Sequence, residues 1–209
     1  SISSGAIFAY SDQAEITDSC FFRCHGNIGG AVYLTAKYCK IRKNSFIDCT
    51  SNKGASLYID STYNQFKAFS PLSDVYISKK YSTDKSEMVS LSSGVFEVSE
   101  SNFTDSHFGD RVCSVFKKSS ISMVMSTYAN LTGKALFLLH TNYLFLENCF
   151  FLSKNKNDAL ISENQYNSQL ILSKCVLTKN YENQKDVRLE LCQFIDSEQA
   201  KTVKKSHEC

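Results

Sequence analysis

The chain has 209 residues, of which 43% are hydrophobic and 21% charged, and its formal net charge is +2. That balance is typical of a globular protein with one sizeable core, and the scattered basic residues exclude the basic stripe of a nucleic-acid-binding protein. No apolar run approaches the roughly 20 residues of a membrane span, and the first residues lack the regions of a signal peptide. We therefore expect a piece of a longer or processed chain, with no membrane span in this segment and no nucleic-acid partner.

The chain begins with two stretches that share one frame. Residues 5–28 read GAIFAYSDQAEITDSCFFRCHGNI, and residues 29–52 read GGAVYLTAKYCKIRKNSFIDCTSN. Each stretch starts with Gly-Ala and an apolar residue, contains Phe in a later apolar run, and continues with Cys, polar residues and Asn. Self-similarity at a period of about 25 residues indicates a repeat architecture.

The repeat continues along most of the chain. Its opening residues are Ala6, Ala31, Ala55, Met88, Cys113, Ala135 and Ala159. Fifteen residues after five of these openers lie the aromatic residues Phe21, Phe46, Phe103, Tyr128 and Phe150. Each unit holds three runs of strand length, separated by corners rich in Gly, Asn, Asp and Ser. This pattern predicts an all-β fold, a single parallel β-helix over residues 1–199 with three strands per coil and about eight coils of 22–25 residues.

The frame is interrupted where one step between openers is 33 residues long. We place the extra residues in a corner insertion near residues 70–86, since insertions in solenoids map to corners and often form a binding face. The candidate residues there for binding a glycan or an acidic protein are Tyr76, Lys79, Lys80 and Tyr81. Two alternatives stay open: the loop packs its aromatic residues inward, or residues 75–78 (VYIS) form the third strand and the extra residues come earlier.

Nine cysteines are spread over the repeat. One group, at corresponding or nearly corresponding positions of the frame, contains Cys20, Cys149, Cys175 and Cys192. Cys24 and Cys49 correspond to each other at a second position. Equivalent residues of neighbouring coils lie about 4.8 Å apart, but their side chains project in parallel, which strains a disulfide. Because free Cys behaves as a small buried hydrophobe, we expect buried free thiols, with a Cys24–Cys49 disulfide as the alternative.

The acidic residues do not gather as they do in pectin-cleaving β-helices, which place several on one face for calcium or acid–base catalysis. At one position of the frame the successive residues are Arg23, Asp48, Asp105, Asn130 and Leu152. No carboxylate cluster recurs on adjacent coils. We therefore predict no enzyme activity, no catalytic residue, no metal site and no cofactor, and keep a polysaccharide lyase or hydrolase as the third interpretation.

Three corners carry complete or partial copies of one motif. GGAV at 29–32 matches the pattern GGA-[ILV] fully, and SGAI at 4–7 and KGAS at 53–56 match it in part. Two units also contain FFRC and FIDC, with Cys where the companion pattern FxxN has Asn. In these features the chain resembles the polymorphic membrane protein type of β-helix, known from bacterial autotransporter passengers and surface proteins of parasitic microbes. The resemblance implies a right-handed solenoid, a surface or adhesive role and an extracellular or cell-surface location.

Two sequons for N-glycosylation occur, NFT at Asn102 and NLT at Asn130. Asn102 takes the place of Cys20 in the frame, at a position that can point inward. We therefore expect Asn130 to be the better glycan acceptor if the chain is secreted.

Two classes of function fit these features. The first is a non-enzymatic structural and adhesive segment of a larger microbial surface protein, which binds through one solenoid face or the 70–86 loop, with a glycan as one candidate ligand. The second is an intracellular architectural component of a filament or cytoskeletal assembly, which reduced thiols would favour. Because a β-helix ends in unpaired strand edges and the polar tail at 200–209 covers them weakly, we predict that a protein partner or further chain covers the ends.

Overall fold

The computed structural model describes residues 5–61, 69–78, 87–107, 112–132, 135–140, 143–152, 159–164, 169–178, 181, 184 and 186–196. Helix is absent from these residues, so this part of the chain has no helix able to cross a membrane. The strands are β1 Ile7–Thr17, β2 Cys20–Phe22, β3 Val32–Ile47, β4 Leu57–Asp60, β5 Phe69–Ser78, β6 Val89–Ser92, β7 Val95–Ser99, β8 Asn102–His107, β9 Val112–Lys117, β10 Ser120–Val124, β11 Thr127–Thr132, β12 Ala135–His140, β13 Tyr143–Glu147, β14 Phe150–Leu152, β15 Ala159–Asn164, β16 Gln169–Ser173, β17 Val176–Leu177, β18 Val187–Glu190 and β19 Gln193–Phe194.

The strands pair in parallel with strands of the next turn along the chain. Ile7 of β1 pairs with Val32 of β3, and Val32 pairs in turn with Leu57 of β4. The same parallel pairing continues to β18 and β19. The structure therefore confirms the predicted all-β fold, a β-solenoid whose turns are joined by backbone hydrogen bonds along its length. The number of strands in each coil and the number of coils stay predictions.

The predicted register holds in the first units and later slips by one residue. Phe103 pairs with Tyr128, as the frame predicts, but Tyr128 pairs with Phe151 and not with Phe150. Side chains alternate between the two faces of a strand, so a shift of one residue exchanges inside and outside. Phe151 is buried in the core, whereas Phe150 is only partly buried. The predicted unit began at Ala135, which pairs with Val112 and not with the preceding opener Cys113, so counting fifteen residues from Ala135 selected Phe150.

The predicted corner insertion near 70–86 is wrong for residues 70–78, which belong to strand β5. The first half of β5 pairs with β3 and β7, and its second half pairs with β3 and β8. The extra residues of this turn fall earlier, because β4 ends at Asp60 and β5 begins only at Phe69. This corresponds to the alternative in which VYIS forms a strand. Residues 79–86 lie outside the described part of the chain.

Apolar side chains at equivalent positions form continuous columns inside the solenoid. One such column contains Phe21, Phe46, Ile77, Phe103, Tyr128, Phe151 and Leu177, all of them buried. Its aromatic rings stack from turn to turn, with centroids 4.9 Å apart for Phe21–Phe46 and 4.6 Å for Phe103–Tyr128. Parallel in-register pairing places identical positions above one another, so repeated aromatic residues stack and stabilise neighbouring turns.

One corner has the same backbone conformation in successive turns. The residues with positive φ at this corner are Asp18, Lys43, Asp74, Glu100, Met125, Asn148, Lys174 and Leu191. Most of them are not the Asn, Asp or Gly that this region of φ favours, so the surrounding strand pairing imposes the conformation. The corner turns the following side chain back toward the backbone, where the hydroxyl of Ser101 donates to the carbonyl of Ser99.

The residue that follows this corner conformation is polar or cysteine in most turns. Asn44, nearly fully buried, donates through Nδ2 to the carbonyls of Ile16 and Arg42 and accepts from the backbone N–H of Ser19. Later turns use thiols, and the equivalent cysteines are Cys149, Cys175 and Cys192. Cys20 pairs with Ser45, one position further along. Cys149, Cys175 and Cys192 therefore hold corresponding positions, and Cys20 a nearly corresponding one.

The GGA corner at Gly29–Ala31 is glycine-rich for a steric reason. Gly29 has a φ of 63°, and a Cβ on it would meet the carbonyl oxygen of Val32. A Cβ on Gly30 would meet the carbonyl oxygens of Ala55 and Thr50 in the next turn. The motif therefore allows close approach of two backbones, which only glycine permits.

Candidate functional site

A row of stacked aromatic rings lies on the outer side of the first turns. Phe8, Tyr33 and Tyr58 alternate with inward-pointing apolar residues and occupy equivalent positions of β1, β3 and β4. Tyr33 stacks on both of the others, with ring centroids 5.1 Å away in each case. Tyr10 lies beside the row, 5.2 Å from Phe8 in an edge-to-face contact. We call these four residues, together with Thr35 and Asp60, the aromatic face.

The exposure of the aromatic face is unequal along the row. Phe8 is 46% exposed and Tyr10 is 58% exposed, whereas Tyr33, between its two stacking partners, is 8% exposed. Large exposed aromatic surfaces on a folded protein mark sites of recognition more often than single exposed residues do. The accessible end of this face is therefore formed by Phe8 and Tyr10.

Polar groups surround the rings. Thr35 and Asp60 pair in register on the same side of the strands as Tyr10, and the hydroxyl of Thr35 donates to the Tyr33 oxygen over 3.4 Å. Burial raises the pKa of Tyr33 and of Tyr58, and the Asp60 carboxylate raises both further. Both phenols therefore stay protonated at neutral pH and keep an O–H that can donate a hydrogen bond.

The aromatic face offers flat apolar rings, hydroxyl groups and one carboxylate, and its described side chains include no adjacent acid–base pair of the kind that hydrolysis uses. Elsewhere, in the parts of the chain that the structure describes, no group of three His, Cys, Asp or Glu side chains is placed to hold a metal ion.

The residues predicted to form a binding loop do not come together as a site. Tyr76 is 4% exposed and lies in β5, where it pairs with Ser45 and Asn102. Its predicted role in binding is therefore wrong, because its side chain is not accessible. Lys79, Lys80 and Tyr81 lie outside the described residues.

The two sequon asparagines occupy different environments. Asn102 begins β8 and is partly buried. Asn130 has a φ of 54° and donates through Nδ2 to a carboxylate oxygen of Asp105 over 2.9 Å. Both asparagines stay candidate glycan acceptors, and Asn130 would have to release this hydrogen bond before modification.

The acidic position that we compared with pectin-cleaving enzymes is a structural corner. Arg23, Asp48, Asp105 and Asn130 all have positive φ and lie at the same corner of successive turns. Within this series, Asn130 donates a hydrogen bond to Asp105. Because the series also contains Arg23 and the amide of Asn130, it differs from the pair of carboxylates that a pectin-cleaving enzyme directs at its substrate.

Both partners of the alternative disulfide are free cysteines in the structure. The thiol of Cys49 donates to the carbonyls of Phe21 and Ile47, and that of Cys24 lies 3.9 Å from the carbonyl of Phe22. The bridge is therefore not formed, although the two thiols lie beside each other. The other described free cysteines are Cys39, Cys149, Cys175 and Cys192. Cys20, in contrast, is disulfide-bonded.

Burial makes the Cys39 thiol a source of pH-dependent stability. Its pKa rises from 9.0 to about 11, because burial penalises the thiolate. Above pH 9 the thiol ionises in the unfolded chain and stays protonated in the folded one, so the folded state loses stability as pH rises to 11. We expect this loss to be about 2 kcal/mol at pH 11 and absent below pH 8.

The measurement compares the wild-type chain with Cys39→Ala by denaturant unfolding at pH 8 and at pH 11. The stability advantage of the wild type over the variant should shrink by about 2 kcal/mol between these pH values. An advantage that is equal at both values would contradict the prediction, because alanine does not titrate.

Sequence reasoning missed the aromatic face. Phe8, Tyr33 and Tyr58 recur at steps of 25 residues, and that spacing could have revealed the row. Their neighbours are apolar as well, as in the stretch AVYL, so no alternation of apolar and polar residues marked the outer side.

Comparison with protein-family models, curated proteins and solved structures gave no match to this chain.

Proposed function

We propose that this chain is a non-enzymatic structural and adhesive segment of a larger microbial surface protein, and that the aromatic face binds the ligand. The observation that carries the proposal is the stacked row of Phe8, Tyr33 and Tyr58, whose open end is about half exposed. The GGAV corner supports a surface location through its resemblance to the polymorphic membrane protein type of β-helix.

We further propose that the solenoid is right-handed, with three strands in each coil and about eight coils. Support comes from separate series of parallel pairings, one of which runs through β2, β3, β5, β8, β11, β14, β17 and β19. Right-handed connections between parallel strands are the general rule.

The chemistry of the aromatic face favours a neutral oligosaccharide as its ligand. The faces of aromatic rings are electron-rich and attract the polarised C–H groups of a sugar ring. The hydroxyls of the exposed Tyr10 and the partly buried Tyr58 can exchange hydrogen bonds with sugar hydroxyls, and the Asp60 carboxylate can accept them. The same carboxylate repels acidic polymers.

Binding to an array of neutral and acidic oligosaccharides tests this proposal. The wild-type chain should bind a subset of the neutral ones, and the double substitution Phe8→Ser with Tyr10→Ser should weaken that binding about tenfold or more. Tyr143→Ser is the matched control, because Tyr143 is also an outer aromatic residue (41% exposed) but lies on β13, away from this face. Wild-type chain that binds nothing, or equal losses in both variants, would overturn the proposal.

The second candidate, an intracellular architectural component, is favoured by the free thiols of six described cysteines. The Cys20 disulfide favours the first candidate, the surface protein, because disulfides persist in the oxidising environment outside the cell. Alkylation of thiols during lysis of the source cells, followed by mass spectrometry, separates the two. An alkylated Cys20 would support the intracellular candidate, and a Cys20 that is alkylated only after reduction would support the surface protein.

A further inference from the structure

Three cysteines lie above one another in consecutive turns, directly after the corner with positive φ. They are Cys149, Cys175 and Cys192, and we call them the thiol ladder. The backbone N–H of Val176 donates to the carbonyl of Cys149 over 2.8 Å, and that of Gln193 donates to the carbonyl of Cys175 over 2.8 Å. Parallel strands paired in this way place equivalent Cα atoms about 4.8 Å apart, within the range that a disulfide spans.

The three thiols have the same orientation and lie beside one another. Each donates to the carbonyl two residues earlier, as Cys149 does to Glu147 over 3.4 Å. Each also donates to a carbonyl of the preceding turn, as Cys175 does to Leu146 over 3.5 Å. The thiol of Cys175 interacts with Cys149 on one side and with Cys192 on the other. The ladder therefore places three sulfur atoms in one row along the solenoid.

The contact between Cys149 and Cys175 gives the two thiols different acid–base properties. Hydrogen bonding with the Cys175 thiol lowers the pKa of Cys149, and the same contact, together with burial, raises the pKa of Cys175. The pair therefore loses its first proton from Cys149. Because the thiolate is the nucleophile in cysteine oxidation, Cys149 is the thiol that attacks an oxidant, and Cys175 is placed to attack the product.

We propose that the thiol ladder is a redox site that reduces hydrogen peroxide and forms a reversible disulfide between neighbouring turns. The Cys149 thiolate attacks one peroxide oxygen, the O–O bond breaks and hydroxide leaves, which converts Cys149 to a sulfenic acid. The Cys175 sulfur then attacks the Cys149 sulfur, so that the S–S bond forms and the S–O bond breaks. The departing hydroxide takes the Cys175 proton and leaves as water. This inference does not depend on the proposed adhesive function.

The surroundings of the ladder explain why the bridge is reversible and what it does. Parallel side chains strain a disulfide, since one must rotate toward the other, and strained disulfides are more easily reduced. Cys149 and Cys175 are fully buried, so peroxide, a molecule little larger than water, reaches them when the turns open locally. The disulfide joins two turns covalently and therefore opposes further opening of this part of the solenoid.

Peroxide treatment of the folded chain, followed by alkylation of free thiols, digestion and mass spectrometry, tests the proposal. We expect peptides joined by a Cys149–Cys175 disulfide, and dithiothreitol should restore both thiols without unfolding the chain. Cys39 is the internal control, since it is buried as fully as these two but has Ala14 and Ser70 as its neighbours in the adjoining turns. The Cys39 thiol should stay reduced.

Serine substitutions determine whether the place in the ladder matters. Serine fits this position, because Ser126 occupies it in an earlier turn and donates to the carbonyl of Val124. Cys192→Ser should keep the Cys149–Cys175 bridge, and Cys149→Ser should form a Cys175–Cys192 bridge instead. Cys175→Ser should abolish both, because the remaining two cysteines lie two turns apart, about 9.6 Å, and a disulfide spans at most about 7 Å.

Three results would overturn the proposal. They are a wild-type ladder that peroxide leaves reduced, a Cys149–Cys192 bridge in Cys175→Ser, and oxidation of Cys39 as rapid as that of the ladder. Circular dichroism should give the same β spectrum for all variants, so that a lost bridge reflects the missing sulfur atom and not unfolding.

Discussion

Replacing Phe46 by alanine is expected to lower the free energy of unfolding by about 3–5 kcal/mol. Phe46 is fully buried, and its ring stacks on that of Phe21 with 7° between the ring planes. On its other side it pairs with Ile77. The substitution removes the ring from the middle of a continuous column, and the strands on both sides, held by backbone hydrogen bonds, cannot move together to fill the cavity.

Denaturant unfolding followed by circular dichroism measures this loss. Phe22→Ala is the matched control, because Phe22 lies in the same part of the solenoid with its side chain outside, 55% exposed. We expect the control to change stability by less than about 1 kcal/mol. Similar losses for the two variants would contradict the assignment of Phe46 to the interior and Phe22 to the surface.

Gly30→Ala is expected to destabilise the fold by about 3 kcal/mol, because the added methyl group meets the backbone of the next turn at two carbonyl groups. The backbone there cannot shift freely, since the Gly30 N–H donates to the carbonyl of Gly54 over 3.1 Å. The methyl group would push two turns apart at this corner. The measurement is again the shift in the denaturant midpoint.

Gly94→Ala provides the comparison for this prediction. A Cβ on Gly94 would lie 2.9 Å from ring atoms of Phe96 and from the Cβ of Ser61. Because these neighbours are side-chain atoms, which yield more easily than backbone, we expect a smaller loss of about 1 kcal/mol. A Gly30 variant as stable as the Gly94 variant would show that the GGA corner is not required for close packing.

The parallel stacking of turns could be predicted because the same chemistry recurs at a nearly constant spacing. Phe21 and Phe46 pair in the structure as the frame predicts. Asn27 and Asn52 meet at a corner, where the Asn52 amide donates to the Asn27 side-chain oxygen over 2.6 Å. Residues of one kind at one spacing lie above one another in any parallel solenoid, so no tertiary information was needed for this conclusion.

The exact register could not be predicted where the spacing varies. Phe150 and Phe151 are adjacent and equally apolar, so a frame of fixed length selects one without physical grounds. The extra residues before Phe69 were assigned to the wrong corner for the same reason, because the stretch 70–78 contains proline and serine yet forms a strand. Pairing with both neighbouring turns determines these assignments, and pairing is not local.

The amino-acid sequence by itself determined the repeat, the strand-length runs and the glycine corner, because each depends on residues close together in the chain. The tertiary structure alone decided which side of each strand faces outward. In a solenoid with apolar residues on both sides of a strand, that choice depends on which side the neighbouring strands enclose. Only the stacking of the turns shows that Phe8 and Tyr10 are exposed and can form a candidate binding surface. Tyr76, predicted to bind a ligand because aromatic and basic residues surround it in the sequence, is buried.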